Sequence, residues 1–155
     1  MRIAIGTDHG GYPIKAAVLE AVESAGHEVL DVGTDSAQSV DYPDFAYQVG
    51  KALQEGRADR GILMCGSGIG ICIAANKMAG VYAAICHNSY AARQGVEHDD
   101  MNVLCLGGRV IGTALVKEIV PAFLGAEFRG HQPGEQRHLR RVSKVKALEK
   151  EEEIT

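Results

Sequence analysis

Short apolar runs recur along the chain at Ile3–Ile5, Glu28–Val32, Gly61–Met64, Val81–Cys86 and Asn102–Leu106, each of a length that suits a buried strand. Between them the apolar residues return with helical period. Ile14, Val18, Ala21 and Val22 share one face, as do Phe45, Val49, Ala52 and Leu53, and Leu115, Ile119, Val120 and Phe123 make a third stripe. Strand followed by helix, repeated along the chain, predicts an α/β domain. It is a five-stranded parallel sheet covered on both faces, a three-layer doubly wound sandwich. A β/α barrel needs eight such units, and 155 residues do not supply them. One more helix, Glu135–Lys150, follows with no strand after it. Its apolar residues Leu139, Val142, Val145 and Leu148 step by three, a narrow stripe that suits packing against a neighbouring subunit. The expected organisation is one domain over residues 1–150 with a frayed tail at 151–155.

Composition agrees with a single folded domain. Apolar residues make up 46% and charged residues 23%, a globular balance and not a disordered one. No apolar run approaches the roughly 20 residues that span a bilayer. The opening MRIAIGTDHGG lacks the pattern of a secretory signal, so a cytoplasmic protein with no membrane partner is expected. Net charge is −4, unevenly spread: residues 1–128 carry 9 Lys/Arg and 15 Asp/Glu, residues 129–155 carry 7 and 5. Five cations and no acid lie between Arg137 and Lys146. In an acidic chain this points away from nucleic acid and toward a local anion site, or else a solvated helix face. The four cysteines, Cys65, Cys72, Cys86 and Cys105, form no C-x-x-C pair, which argues against zinc and against a disulfide framework. Cys72, Cys86 and Cys105 read as small core hydrophobes; Cys65 differs by position.

In a doubly wound sheet the loops at the carboxyl ends of strands hold the ligand. Those loops contain Asp8-His9-Gly10-Gly11, Asp41-Tyr42-Pro43, Cys65-Gly66-Ser67-Gly68-Ile69-Gly70, His87-Asn88-Ser89 and Gly107-Gly108-Arg109. The third is the sharpest. Alternate glycines before a helix starting near Ile69 let the backbone turn tightly and point successive N–H groups outward, a loop that suits an anion. Position 71 is Ile, so the dinucleotide fingerprint is not met, and no Lys-Ser/Thr pair follows, so it is no P-loop. Cys65 at this helix start is a candidate base or nucleophile, or else a core cysteine ending a strand. Asp8 is a helix cap or an acid/base group. His98, beside Asp99 and Asp100, precedes the fifth strand and so belongs to the opposite sheet edge, as a solvated residue or a proton donor. Arg137 and Arg141, four apart, share a helix face and could grip a phosphate.

Together, GTDHGG, DYPDFA, CGSGIGICIAANK, HDDMNVLCLGGRVIG and QRHLRRV, in this order from residue 2 to about 148, resemble the type B ribose-5-phosphate isomerase family. The resemblance implies a five-stranded parallel α/β sandwich, a homodimer or homotetramer with active sites shared between subunits, and a small sugar phosphate as substrate. It implies neither cofactor nor metal. The reaction interconverts aldose and ketose phosphates through an enediolate. By motif, Cys65 matches the base, and Gly66, Gly68, Ile69 and Gly70 belong to the loop whose amides hold the enediolate oxygens. Ser67 matches a hydroxyl contact to them, and His98 matches the ring-opening acid. Asp8, His9 and Tyr42 match substrate contacts. Arg109, Arg137 and Arg141 match ligands of substrate and phosphate, with the 98–109 segment expected from the partner. Asp99 is matched to a sugar-hydroxyl contact but departs from the family, where Asn is usual, and Arg129–Gln136 is a few residues longer than usual. D-ribose 5-phosphate and D-ribulose 5-phosphate are the expected pair. The alternatives are allose 6-phosphate, galactose 6-phosphate or a tetrose phosphate, or a non-catalytic anion-binding, flavodoxin-like protein.

Overall fold

A computed structural model of the chain describes residues 1–151. The expected frayed end lies outside these residues apart from Glu151, a turn position after the last helix. Five parallel strands, β1 (Arg2–Thr7), β2 (Glu28–Asp31), β3 (Arg60–Cys65), β4 (Ala83–Ile85) and β5 (Val103–Gly107), form one sheet in the order β2-β1-β3-β5-β4. Six helices complete it: α1 (Tyr12–Ser24), α2 (Tyr42–Gln54), α3 (Ile69–Ala75), α4 (Ser89–Asp99), α5 (Thr113–Leu124) and α6 (Gln136–Glu149).

The pleat explains the layers, because successive strand residues face opposite sides. Ile3, Ile5, Ile62, Met64, Leu104 and Leu106 pack with α1, α4 and α5 in one core. Their alternates Ala4, Leu63, Cys65, Val103 and Cys105 pack with α2 and α3 in the other. Strands buried on both faces have to be apolar throughout, which is why the runs are continuous. Three details differ from the periodicity. Leu115 is exposed, Phe45 and Leu53 are only half-buried, and β4 is shorter than Val81–Cys86. Backbone bonds still flank it, Val103 N to Tyr82 O at 3.2 Å and Cys86 N to Cys105 O at 3.3 Å, and side chains take the remaining groups. The Asn76 amide donates to Ala83 O and accepts from Ala83 N, both at 2.8 Å, and Asn102 Oδ1 accepts from Tyr82 N at 2.8 Å.

The connections wind to opposite sides of the sheet from β1 and β3, so the loops after these strands diverge and leave a crevice. Lys15 braces its β2 side. Its Nζ lies 2.8 Å from Asp31 Oδ2 and donates to Thr34 O at 2.8 Å, with 9% of the side chain exposed. K15M is expected to destabilise the fold by about 2 kcal/mol, the usual scale for losing hydrogen bonds to a charged group. A lower urea midpoint at unchanged m-value is the check.

Candidate active site

Asp8, Tyr42, Cys65, Gly66, Ser67, Gly70, Arg109 and Val110 line one open cleft of about 360 Å³ at this crevice. Cys65 ends β3 at 5% exposure, and its Sγ accepts the Gly68 N–H at 3.1 Å. That bond requires the chain to double back within three residues. Gly68 achieves it with φ +81°, a conformation that strains other residues. Ser67 Oγ accepts from Ile69 N at 3.1 Å. The amides of Ser67 and Gly70 have no partner among the described residues and remain as donors. With only seven residues, α3 adds little dipole, so the anion-holding capacity lies in these N–H groups.

Around the loop stand three polar side chains. Asp8 Oδ1 accepts from Gly10 N at 2.8 Å and Gly11 N at 3.1 Å. Asp8 therefore ties the turn before α1 and is not its cap, which is Gly11. The Arg109 guanidinium covers Gly66, where a Cβ would lie 3.0 Å from Nη1. Tyr42 lies over Gly70 in the same way, 2.7 Å from such a Cβ. Glycine at 66 and 70 is thus what lets these side chains close on the loop. His9 borders the crevice; its Nδ1 accepts from Val40 N at 3.2 Å, which puts the neutral ring's proton on Nε2.

Arg109 was expected with His98 from a partner chain. It lies instead on its own chain's cleft, because β5 ends beside Cys65 in register with Gly107. His98 does sit at the opposite edge. It lies in the last turn of α4, just before β5 starts opposite Gly61, about 13 Å of strand rise from the level of Cys65. Its ring stacks on His138 at 4.1 Å between centroids, and Gln94 Nε2 lies 3.0 Å from its Nδ1. His138 is 3% exposed. Its Nε2 is 3.1 Å from Glu135 Oε2 but outside hydrogen-bond geometry, so this buried ring nitrogen has no hydrogen-bond partner among the described residues. Burial, followed by the nearby His98 and Arg137, pushes the His138 pKa down. Arg137 pairs with Glu135 at 2.8 Å and donates to Gly134 O at 3.1 Å, so the longer connection before it holds it locally. Arg141 and Asp99 line a second cleft, also about 360 Å³, under α6.

Two features escaped the sequence reading. His138 lies one turn before Val142, and these two are the buried residues of α6, while Leu139, Val145 and Leu148 stay exposed. A polar residue at helical spacing from a core valine was the available signal. The second is Cys72. Cys86 and Cys105 are core residues as expected, but Cys72 is only half-buried, with Asn76 Nδ2 3.6 Å from its Sγ, and the neighbouring Cys105 thiol draws its pKa down to about 7.

Among the described residues, no helix is long and apolar enough to cross a membrane. The sequence matches the family model described as Ribose/Galactose Isomerase over residues 3–145. It is 45% identical over 148 residues to ribose-5-phosphate isomerase B of Escherichia coli K12, covering 96% of each chain. It is 42% identical over 131 residues to D-erythrulose-4-phosphate isomerase of Pectobacterium atrosepticum, covering 84% of this chain and 86% of that one. The solved ribose-5-phosphate isomerase B of Clostridium thermocellum superposes with a TM-score of 0.91 at 49% identity, covering 97% of this chain and 99% of that one. The chain is an isomerase and belongs to the ribose/galactose isomerase family, with the five-stranded parallel fold of the type B ribose-5-phosphate isomerases.

Proposed function

We propose that the enzyme interconverts D-ribose 5-phosphate and D-ribulose 5-phosphate in sites completed by a second copy of the chain. The observation that carries this is the cleft itself, where one thiol, unpartnered loop amides and Arg109 converge. Cys65, as thiolate, takes the proton from C2 of the open-chain aldose. The charge left behind moves onto the carbonyl oxygen, giving an enediolate, and the Ser67 and Gly70 amides are placed to hold it. One such donor is worth about 3–4 kcal/mol in comparable sites. Cys65 then returns the proton to C1, and the O2 hydroxyl proton passes to O1, leaving the ketose. Nothing is oxidised or reduced overall.

The substrate rests as a ring, and opening it breaks the C1–O4 bond: the O1 hydroxyl gives its proton to water as the C1 carbonyl forms, and O4 takes a proton. His98 is the proton donor to O4, but no path within one chain brings it from the far sheet edge. A partner's His98 would supply that acid, and Arg137 and Arg141 near it a cationic seat for the phosphate. The exposed Leu139, Val145 and Leu148 of α6 suit such a contact.

The same chemistry on a four-carbon sugar phosphate is the second reading, favoured by the 42% identity to the erythrulose-4-phosphate enzyme. A substrate panel separates them. The highest kcat/KM is expected for ribose 5-phosphate; a tenfold preference for erythrulose 4-phosphate, allose 6-phosphate or galactose 6-phosphate would reverse the choice.

A further inference from the structure

His87-Asn88-Ser89, the loop after β4, has no part in the mechanism above, yet it reaches Gly107, which adjoins the glycine loop. The last backbone rung between β4 and β5 is Cys86 N to Cys105 O at 3.3 Å. Past it the chain leaves the sheet, because Asn88 Oδ1 caps α4 by accepting from Ala91 N at 2.8 Å. In a parallel ladder alternate residues of one strand face the same neighbour, so the next β5 donor aimed toward β4 is Gly107 N. The acceptor it meets is a side chain: His87 Nε2, at 3.0 Å.

Gly107 is where β5 meets the catalytic loop. A Cβ there would lie 2.7 Å from Ser67 O, and one at Gly68 would lie 3.2 Å from Gly107 N. The next two amides cross to the loop itself, Gly108 N to Cys65 O at 2.8 Å and Arg109 N to Gly66 O at 3.0 Å. Three successive N–H groups therefore set the height of Arg109 over Gly66, and the first of them bonds to His87.

We propose that His87 is a positioning residue: its ring stands in for the absent strand carbonyl, pins Gly107, and so holds Arg109 and the Ser67 amide at the geometry the enediolate needs. The ring that accepts at Nε2 carries its proton on Nδ1. Burial lowers the His87 pKa, which favours that neutral, accepting form. The catalytic consequence rests on the isomerase reading of the Cys65 cleft; the pinning of Gly107 does not.

The test compares H87F, which fills the space without an acceptor, with H87Q, whose Oε1 offers one at similar reach. Amide hydrogen exchange at Gly107 is expected to quicken about tenfold in H87F, with kcat on ribose 5-phosphate down about tenfold and KM within threefold. H87Q is expected to bring both back to within about threefold of the wild type. Unchanged exchange at Gly107 in H87F, or exchange as fast in H87Q, overturns the pinning. Quickened exchange with unchanged kcat overturns the catalytic consequence and leaves the Cys65 assignment standing, since C65A tests that separately. Should H87F not fold, H87N, too short to reach Gly107, takes its place with the same readouts.

Discussion

Replacing Cys65 by alanine is expected to lower kcat by about 10²–10⁴-fold while affinity for the sugar phosphate stays within about threefold. The two quantities part because Cys65 acts on one proton only. Binding energy comes from the loop amides and the cationic groups, which the substitution leaves in place. The fold should tolerate it. Cys65 is a small residue at the end of β3, and apart from its Sγ contact with Gly68 N the loop is held by Gly108 N and Arg109 N. Turnover is read from ketose formation, and affinity by calorimetry with substrate on the inactive variant. An unchanged kcat would remove Cys65 as the base.

Thiol alkylation would be a poorer test, for a reason visible in the structure. Cys86 and Cys105 are buried, but Cys72 is half-buried with a pKa drawn down to about 7. Its thiolate fraction therefore climbs through neutral pH, and reagents aimed at Cys65 compete with it. Inactivation by alkylation is interpretable only in a C72S background, where loss of activity that tracks one modified thiol points to Cys65.

The fold was legible because the doubly buried strands force continuous apolar runs, and because the turns between them are marked by glycine. Ile3–Ile5 and Gly61–Met64 each fell inside the strand they announced. The edge strand was overread. Val81 and Tyr82 look like strand residues, but Val81 N turns back to Met78 O and Tyr82 N is met by the Asn102 side chain, and such local substitutes for a ladder leave no periodic trace. The site was legible to the extent that it is backbone. The alternate glycines mark a tight turn, and in the structure the left-handed Gly68 brings its amide to the Cys65 sulfur. What spacing could not convey is proximity between loops. That Arg109 lies over Gly66 of its own chain follows from β5 lying beside β3, an order the sequence does not print. His138 was hidden for a related reason: α6 buries the face through residues 138 and 142, offset from the apolar stripe that 139, 145 and 148 outline.

The division of the chemistry between the two sheet edges leads to the second large expectation. H98N is expected to lose about 10²–10³-fold in kcat on the cyclic sugar, and far less on an open-chain analogue that needs no ring opening. Equal losses on both would remove the ring-opening role. Because Cys65 and His98 stand about 13 Å apart in strand level within one chain, each working site in the proposed dimer draws them from different copies. Mixing C65A with H98N then restores what neither has. Random pairing makes half the dimers hybrid. In a hybrid, the site that combines the wild-type Cys65 of one chain with the wild-type His98 of the other is intact, and its twin carries both lesions. The expected recovery is about a quarter of wild-type activity at equal total protein, the value that two-fold symmetry dictates. Subunit exchange is achieved by co-expression with two affinity tags, and the doubly tagged fraction should show about half the wild-type rate. A doubly tagged dimer no more active than either parent would place Cys65 and His98 of each site on the same chain, and with that the shared site would fall.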